Sequence, residues 1–355
     1  MKQARYEGPR RISVGTSPQG SPGAGEVRVA VAYTGVCGTD LHIFHGDMDA
    51  RVTTPAVIGH EMSGRVAELG AGVEGWSIGD PVTVMPLDWC GECPACRAGN
   101  SHVCHRLNFI GIDSPGSMQQ SWVVPARTLV RIPDHVDLRP AALIEPTAVA
   151  VHDVGRAGVA PGEKVLVVGG GPVGALIAIV ARHAGADVVV AELDESRRAF
   201  ARRQGLRCLD PTVDDIAALV QEWTGQAGVA VAFEVSGAAA GVDTAVNSLS
   251  VRGRLCLVAI HPQPRPVNLH RFFWRELHLI GARLYTRDDF ETAAQLIADG
   301  VVPAEDLITH VEPLATADLA FAALESGTGQ MKVLVDCSPS TSNTSNTSNN
   351  GGPKQ

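Results

Sequence analysis

Two patterns of apolar and polar residues follow one another along the chain of 355 residues. Up to about residue 145, short strand-like runs such as Glu26–Ala32 and Pro81–Met85 lie between Gly and Pro residues. This pattern is typical of a β-rich unit with many loops. From about residue 146 to 285, apolar strands alternate with longer helical stretches, which predicts βαβ units and a parallel sheet.

The second region begins with a regular strand–helix alternation. Its predicted elements are a strand at Lys164–Val168, a helix at Val173–His183, a strand at Asp187–Ala191, a helix at Asp194–Gln204, and strands at Ala230–Val235 and Arg254–Ile260. The region that follows predicts a helix at Asp288–Asp299, a strand at Leu307–Val311, a helix at Ala315–Glu325 and a strand at Lys332–Asp336.

These patterns predict an α/β protein of two domains. We expect residues 1–145 and 286–337 to form one domain and residues 146–285 to form the other, a doubly wound parallel sheet. Residues 338–355 are a low-complexity stretch of Ser, Thr and Asn. Such a composition cannot build an apolar core, so this tail is predicted to be disordered.

Composition and charge narrow the classes of partner. Hydrophobic residues make up 45% and charged residues 19% of the chain, as in ordinary globular proteins. The net charge of −9 argues against nucleic acid or an anionic membrane as a partner. No apolar run is long enough to span a membrane, and Met1–Gly8 has no signal-peptide core. We therefore expect a cytoplasmic protein.

Four of the eight cysteines lie in one short segment. Cys90, Cys93, Cys96 and Cys104 have the spacing C-x2-C-x2-C-x7-C. Four thiolates close a tetrahedral zinc shell and leave no position for substrate, so this lobe predicts a structural zinc site. Four unrelated buried cysteines and an iron–sulfur cluster are the alternatives. Zinc is favoured because the rest of the chain gives no need for a one-electron centre.

A second group of metal-binding residue types lies upstream. GVCGTDLH at 35–42 and GHEMSG at 59–64 offer Cys37, His60 and Glu61. Sulfur, nitrogen and oxygen ligands with one open position suit a zinc ion that acts as a Lewis acid. Taken singly, each of these residues could be an ordinary core or surface residue.

A glycine-rich turn joins the first strand of the second domain to its helix. The segment VLVVGGGPVG at 165–174 carries G-x-G-x-x-G between a predicted strand and a predicted helix, which is the context of a dinucleotide-binding site. Glu192 ends the next strand and would bind the ribose hydroxyls, which favours NAD over NADP. Arg197 and Arg198 could instead hold a phosphate or belong to a solvated helix face. The predicted cofactor-binding residues are Gly169, Gly171, Pro172, Val173, Gly174, Glu192 and Arg197.

Together, these motifs resemble the zinc-containing medium-chain alcohol dehydrogenase family, in its polyol, butanediol and threonine dehydrogenase branch. The resemblance covers about residues 1–337. It implies a GroES-like catalytic domain that holds two zinc ions, one catalytic and one structural, and an inserted Rossmann domain that binds NAD. It also implies a homodimer or homotetramer.

The resemblance assigns roles residue by residue. Cys37, His60 and Glu61 match the catalytic zinc positions, and Glu145 matches a fourth ligand that binds zinc directly or through water. Thr39 matches the hydroxyl that touches the substrate oxygen. His42 matches the histidine that relays the proton to solvent, although without the resemblance it would be an ordinary surface histidine.

The predicted function is NAD-linked oxidation of a small secondary alcohol or polyol to a ketone. The alternatives are a primary alcohol dehydrogenase that gives an aldehyde and a non-catalytic NAD-binding zinc protein. The substrate stays open. Leu87 stands where the threonine branch has an additional histidine, and Leu284-Tyr285 stands where sorbitol dehydrogenases tend to carry Arg-Tyr.

Overall fold

Two large sheets organise the computed structural model of the protein, which describes residues 1–261, 263–327 and 329–339. The strands are β1 (Lys2–Gly8), β2 (Arg11–Thr16), β3 (Glu26–Val36), β4 (Glu61–Leu69), β5 (Pro81–Val84), β6 (Leu87–Asp88), β7 (Asn108–Phe109), β8 (Ser121–Pro125), β9 (Leu129–Arg131), β10 (Lys164–Val168), β11 (Asp187–Ala191), β12 (Arg207–Leu209), β13 (Val229–Glu234), β14 (Leu249–Leu257), β15 (His278–Gly281), β16 (Ile308–Pro313) and β17 (Lys332–Asp336). The helices are α1 (Gly38–His45), α2 (Pro94–Arg97), α3 (Leu138–Ala141), α4 (Ile144–Ala157), α5 (Pro172–His183), α6 (Glu195–Arg203), α7 (Ile216–Trp223), α8 (Ala239–Ser248), α9 (Leu269–Arg275), α10 (Arg287–Ala298), α11 (Ala304–Leu307) and α12 (Ala317–Glu325).

The first sheet combines strands from both ends of the chain. Its order is β16-β17-β3-β4-β5-β9, with β8 also paired to β3. Strand β17 runs antiparallel to β3, and Val333 lies opposite Val36. The alternation of Val27, Val29 and Val31, all buried, sends one face of β3 into the core. This pairing brings the start of β17 to the end of β3, where the candidate metal ligands begin.

The second sheet is parallel, with the order β12-β11-β10-β13-β14-β15. Strand β10 lies between β11 and β13, so the chain winds outward in both directions from it. Val165, Leu166 and Val167 are fully buried, as expected when helices cover both faces of a parallel sheet. The predicted doubly wound fold is confirmed, and ligands of such folds bind at the carboxyl ends of the strands.

Several element boundaries differ from the prediction, each for a physical reason. Strand β3 extends to Val36 rather than ending at Ala32, because Tyr33–Val36 pairs with β17. The strand predicted at Arg254–Ile260 ends at Leu257, where its pairing with β13 stops. From residue 340 onward, the predicted disordered tail lies outside the described residues. Among the helices described here, none has the length and apolarity needed to cross a membrane.

Candidate active site and metal centres

Cys37, His60 and Glu61 lie together at the junction of β3 and β4. Their ligand atoms are all within 4.8 Å of one another. The cause is the register of the two strands, since β3 and β4 run antiparallel with Gly35 opposite Glu61. The end of one strand therefore meets the start of the next, and two motifs separated in sequence form one cluster.

The carboxylate of Glu61 is held by a lysine from the last strand. Lys332 Nζ donates to both carboxylate oxygens of Glu61 at 2.7 Å. The two side chains are only 5% and 1% exposed. Burial lowers the pKa of Lys332, but the negative charges around it, with that of Glu61 the largest, and the hydrogen bonds to Glu61 together outweigh burial and raise that pKa. A Cβ on Gly35 would collide with the Glu61 carboxylate, so this position needs glycine.

A second buried carboxylate, Glu145, lies in the first turn of α4. Tyr285 Oη donates to Glu145 Oε1 at 2.7 Å. Burial raises the pKa of Glu145 to about 7; His60 opposes the shift, and the charge of Glu61 adds to it. Glu145 lies outside the three-residue cluster, but its charge is among those that raise the pKa of His60.

His60 is oriented by two buried neighbours. Its ring packs edge-on against Phe109, with ring centroids 5.2 Å apart. Its Nδ1 lies 3.8 Å from Oδ1 of buried Asp40, and neither atom has a hydrogen-bond partner. Asp40 Oδ2 accepts the backbone N–H of Cys37 at 2.9 Å.

Histidines that bind zinc usually turn their other ring nitrogen toward a carboxylate. The orphaned Nδ1 of His60 beside Asp40, together with the thiol and carboxylates described above, fits a zinc ion.

Thr39 and His42 both lie on α1, which begins directly after Cys37. Thr39 is half-buried, and His42 is 47% exposed with its Nδ1 3.1 Å from Asp47 Oδ2. The helix therefore carries one half-buried hydroxyl two residues after Cys37 and one histidine at the solvent boundary.

The four cysteines of the lobe form a separate cluster. The Sγ atoms lie 3.4 Å apart for Cys90 and Cys104, 3.5 Å for Cys93 and Cys96, and 3.8 Å for Cys93 and Cys104. None forms a disulfide. Ligands of a tetrahedral zinc with Zn–S bonds of 2.3 Å would be separated by about 3.8 Å. The cluster therefore fits a fully thiolate-bound zinc.

The glycine-rich turn connects β10 to α5 at the centre of the parallel sheet. Gly169 has φ +102°, a backbone conformation that favours glycine. A Cβ on Gly174 would collide with the carbonyl oxygen of Gly169. Pro172 occupies the first turn of α5 after Gly171 at the N-cap. The N-terminus of α5 is thereby left open toward an anionic ligand.

Glu192 follows β11 beside this turn. Its Oε2 accepts the N–H of Gly170 at 2.6 Å, and its Oε1 accepts the N–H of Asp194 at 2.8 Å. Two backbone N–H groups therefore fix the carboxylate beside the glycine-rich turn, where the nucleotide site is predicted.

The two arginines of α6 have different surroundings. Arg197 Nη1 lies 3.6 Å from where a Cβ on Gly171 would be, and its buried Nε has no hydrogen-bond partner. Arg198 instead forms ion pairs with Glu195 and Asp210. Arg198 is thus buried and structural rather than part of a solvated face, whereas Arg197 lies beside the turn.

Comparison with known proteins identifies the family. A sequence profile of the alcohol dehydrogenase GroES-like domain matches residues 23–134, and one of zinc-binding dehydrogenase matches residues 172–299. The 2-dehydro-3-deoxy-L-galactonate 5-dehydrogenase of Pseudoalteromonas atlantica is 48% identical over 337 residues, which cover 95% of this chain and 99% of the relative. The chain belongs to the zinc-containing medium-chain alcohol dehydrogenase family. It is therefore a zinc-dependent oxidoreductase that uses NAD(P).

Other medium-chain dehydrogenases extend the comparison. The sorbitol dehydrogenase of Halalkalibacterium halodurans is 33% identical over 333 residues, covering 92% of this chain and 96% of the relative. The crystal structure of 2R,3R-butanediol dehydrogenase from Bacillus subtilis has a TM-score of 0.87 at 30% identity, covering 94% of this chain and 99% of that one. The relatives thus include proteins named for an acidic sugar derivative and for neutral alcohols.

For this medium-chain dehydrogenase, the predicted fold class, family and cofactors are confirmed. The residue roles stay predictions. The structure brings Cys37, His60 and Glu61 together, and Glu145 is not part of that group.

Sequence reasoning missed Asp40 and Lys332, and it gave Tyr285 no contact with Glu145. Asp40 lies within the GVCGTDLH motif and could have been considered. Lys332 carries no sequence signal, because its partner is set by the pairing of β17 with β3.

Proposed function

We propose that this dehydrogenase oxidises a secondary hydroxyl of a small polyol to a ketone, with NAD as the hydride acceptor. The observation that carries this proposal is the buried cluster of Cys37, His60 and Glu61, with all ligand atoms within 4.8 Å. A mixed thiolate, imidazole and carboxylate set can leave a position open for substrate, unlike the four cysteines of the lobe.

Residues at the facing ends of β3 and β4, together with one residue of α4, would hold the catalytic zinc. Cys37 Sγ and the ring nitrogen of His60 that faces away from Asp40 supply two ligands. Glu61 shares its charge with Lys332, whereas Glu145 accepts a hydrogen bond from Tyr285 through Oε1 alone and keeps Oε2 available. We therefore assign Glu145 as a further zinc ligand beside Glu61, which binds the zinc ion directly or through a water molecule. A bound zinc ion lowers the pKa of an alcohol and so favours the alkoxide near neutral pH.

The proton of the alcohol leaves along α1. We assign Thr39 to accept it first, because this hydroxyl lies two residues after Cys37. His42 then passes the proton to solvent, with its imidazole oriented by Asp47. An imidazole suits this task because its ordinary pKa is about 6.5, so it can both take up and release a proton near neutral pH.

The preference for NAD is assigned to Glu192. Two backbone N–H groups fix its carboxylate, which can accept hydrogen bonds from the adenosine ribose. A 2′-phosphate would be repelled there. The remaining predicted cofactor residues form the turn, and Arg197 is assigned to a phosphate of the cofactor because its buried Nε has no acceptor.

The domain division is proposed as 1–145 with 286–337, and 146–285. Pairing of β17 with β3 supports the return of the chain to the first domain. The junction at 145–146 falls within the first turn of α4, so this helix is the connection between the domains. A cytoplasmic location stays a prediction.

We also propose a homodimer or homotetramer. Strand β15 is an edge of the parallel sheet, and unpaired strand edges are templates for pairing with another chain. Nearby Phe273 and Trp274 on α9 are 78% and 73% exposed. Light scattering on the purified protein should give a mass of two or four chains; a monomer would refute this assembly.

The test of the reaction is NADH formation by purified, zinc-loaded protein with a panel of alcohols. Turnover of polyols with secondary hydroxyls, abolished by chelation, is expected. Preferential turnover of simple primary alcohols would favour the aldehyde-forming alternative. A protein with two zinc ions that binds NAD but turns over no alcohol would favour the non-catalytic alternative.

A further inference from the structure

Arg283 lies where the parallel sheet meets the candidate active site. It follows β15 at the carboxyl end of the sheet, the edge at which such folds bind ligands. Tyr285, two residues later, donates to Glu145. Since consecutive Cα atoms are about 3.8 Å apart, the Cα of Arg283 is within about 7.6 Å of that of Tyr285.

The residue between them has an unusual backbone conformation. Leu284 has φ +61°, which is unfavourable for a residue with a Cβ and is held mainly where the surroundings require it, often at functional sites. The residues on either side of Leu284 differ in exposure. Tyr285 is buried against Glu145, while Arg283 stays exposed.

A second arginine, Arg51, is linked indirectly to the metal site. Arg51 binds Asp113 with two hydrogen bonds, Nε to Oδ1 at 2.6 Å and Nη2 to Oδ2 at 2.7 Å. Asp113 Oδ2 also accepts the N–H of Phe109 at 2.8 Å, and Phe109 packs on His60. Arg51 is thus tied to the wall of the metal site through Asp113.

Arg283 lies close to this pair but has no counter-ion of its own. Although the residue as a whole is exposed, partial covering of its guanidinium lowers its pKa; the charge of Arg51 lowers the pKa further, and that of Asp113 raises it. Both oxygens of Asp113 are already engaged by Arg51 and Phe109. Within the described ranges, Arg283 forms no hydrogen bond or ion pair. Among the described residues, Asp113 therefore pairs with Arg51 alone, and the charge of Arg283, two residues before Tyr285, has no counter-ion.

We propose that Arg283, supported by Arg51, binds the carboxylate of an acidic polyol, an aldonate-type sugar acid whose secondary hydroxyl is oxidised at the metal site. This inference rests on the proposed function and names its substrate class. Family membership does not decide the question, because the relatives are named for both neutral and acidic compounds.

The chemistry of a sugar acid suits an arginine anchor. A guanidinium presents its N–H groups as a fork that pairs with a carboxylate. In a hexonate, four C–C bonds of about 1.5 Å separate the carboxylate carbon from C5, a span of roughly 5 Å. During oxidation, C5 loses a hydride to NAD and its hydroxyl loses a proton to solvent. The carboxylate stays unchanged and acts only as an anchor.

The test compares L-galactonate with galactitol, which has a neutral CH2OH group in place of the carboxylate. In Arg283→Gln, kcat/KM for L-galactonate should fall roughly 10- to 100-fold, the usual cost of losing a hydrogen bond to a charged group. The loss should lie mainly in KM. Values for galactitol and the KM for NAD should change less than about threefold, and Arg283→Lys should retain part of the preference. Arg252→Gln is the matched control, because Arg252 is an exposed arginine paired with Glu276.

Calorimetric binding of L-galactonate and 2-dehydro-3-deoxy-L-galactonate to the zinc-loaded enzyme with NAD separates the two proposals. Binding without turnover, weakened in Arg283→Gln, would support the anchor and overturn the proposed reaction. Equal losses for acid and polyol, no loss, or a change confined to NAD would overturn the anchor while the dehydrogenase stands. Oxidation of neutral polyols by an enzyme that binds neither acid would also overturn the anchor and leave the dehydrogenase proposal standing. An enzyme that binds and oxidises none of these compounds would overturn both.

Discussion

The two metal-ligand clusters are built in opposite ways. The lobe takes its four ligands from fifteen consecutive positions, Cys90 to Cys104. The catalytic cluster takes Cys37 from the end of β3 and His60 and Glu61 from the start of β4, and it depends on Lys332 from the last strand. One site is local and can form with its own segment, whereas the other exists only when the whole fold has formed.

Their surroundings differ as well. Backbone N–H groups lower the pKa of Cys90 to about 6, while burial raises that of Cys96 to about 12, so four thiolates need a cation to coexist. The catalytic cluster is instead set among buried charges of both signs, with Lys332 and His60 against acidic residues. We infer that zinc in the lobe mainly stabilises the fold, and that zinc in the catalytic cluster mainly serves the reaction.

The largest effect is expected when one cysteine ligand is removed from the lobe, which tests whether its zinc ion is structural. Cys93→Ser should remove one zinc per chain and lower the free energy of unfolding by about 4 kcal/mol or more, because structural zinc binding is coupled to folding. Metal analysis and denaturant unfolding measure both quantities. A variant with two zinc ions and unchanged stability would refute a structural role for the lobe.

The matching change in the catalytic cluster should have the opposite profile. Cys37→Ser should lower kcat by about 1,000-fold or more, since a metal ligand is removed from the reacting centre. Circular dichroism and the unfolding midpoint should stay close to those of the wild type. If Cys37→Ser unfolds as readily as Cys93→Ser, the proposed difference between the two sites is wrong.

A third change tests whether the catalytic cluster depends on the last strand. Lys332→Met leaves buried Glu61 without its partner and should destabilise the protein by about 3 kcal/mol, the usual cost of an unpaired buried charge. The double variant Lys332→Met with Glu61→Gln should recover part of this stability, because it removes the unpaired charge. No recovery in denaturant unfolding would mean that Lys332 acts through packing alone.

Removal of one hydrogen bond at Glu145 should have a smaller effect. Tyr285→Phe keeps the buried ring but deletes the donor to Glu145 Oε1, and it should lower kcat about 10-fold, the value of a hydrogen bond to a charged group. The buried ring should keep the unfolding midpoint within a few degrees. An unchanged kcat would show that Glu145 needs no such positioning.

The smallest effect is expected at the cofactor site, which lies outside both clusters. Glu192→Ala should lower the ratio of kcat/KM for NAD to that for NADP by about 10-fold, because a carboxylate no longer accepts the ribose hydroxyls or repels a phosphate. Zinc content should not change. A constant cofactor ratio would remove Glu192 from the proposed site.

The contrast also explains what the sequence could predict. The lobe and the glycine-rich turn are readable because their residues lie close together and each spacing implies one geometry. The strands at Lys164–Val168 and Asp187–Ala191 were predicted with their observed bounds, since buried parallel strands are continuous apolar runs. Lys332 is likewise the first residue of its strand, as predicted. Its ion pair with Glu61 could not be predicted from the sequence.

The contacts that the sequence did not predict depend on the order and register of strands that are far apart in the chain. Glu61 meets Lys332 because β3 lies between β4 and β17, and no local pattern encodes that order. The sequence showed only that Leu284-Tyr285 differs from the Arg-Tyr of sorbitol dehydrogenases. That Arg283, one position earlier, lies beside Arg51 depends on how the two sheets are placed, which the spacing of residues does not reveal.

The most direct test is the zinc content per chain of wild type and Cys37→Ser, measured together with NADH formation on a polyol substrate. A dehydrogenase with one structural and one catalytic zinc should give two zinc ions and turnover in the wild type. Cys37→Ser should give one zinc ion, an intact fold and no turnover. Two zinc ions and substantial turnover in Cys37→Ser would contradict the assignment of the catalytic site.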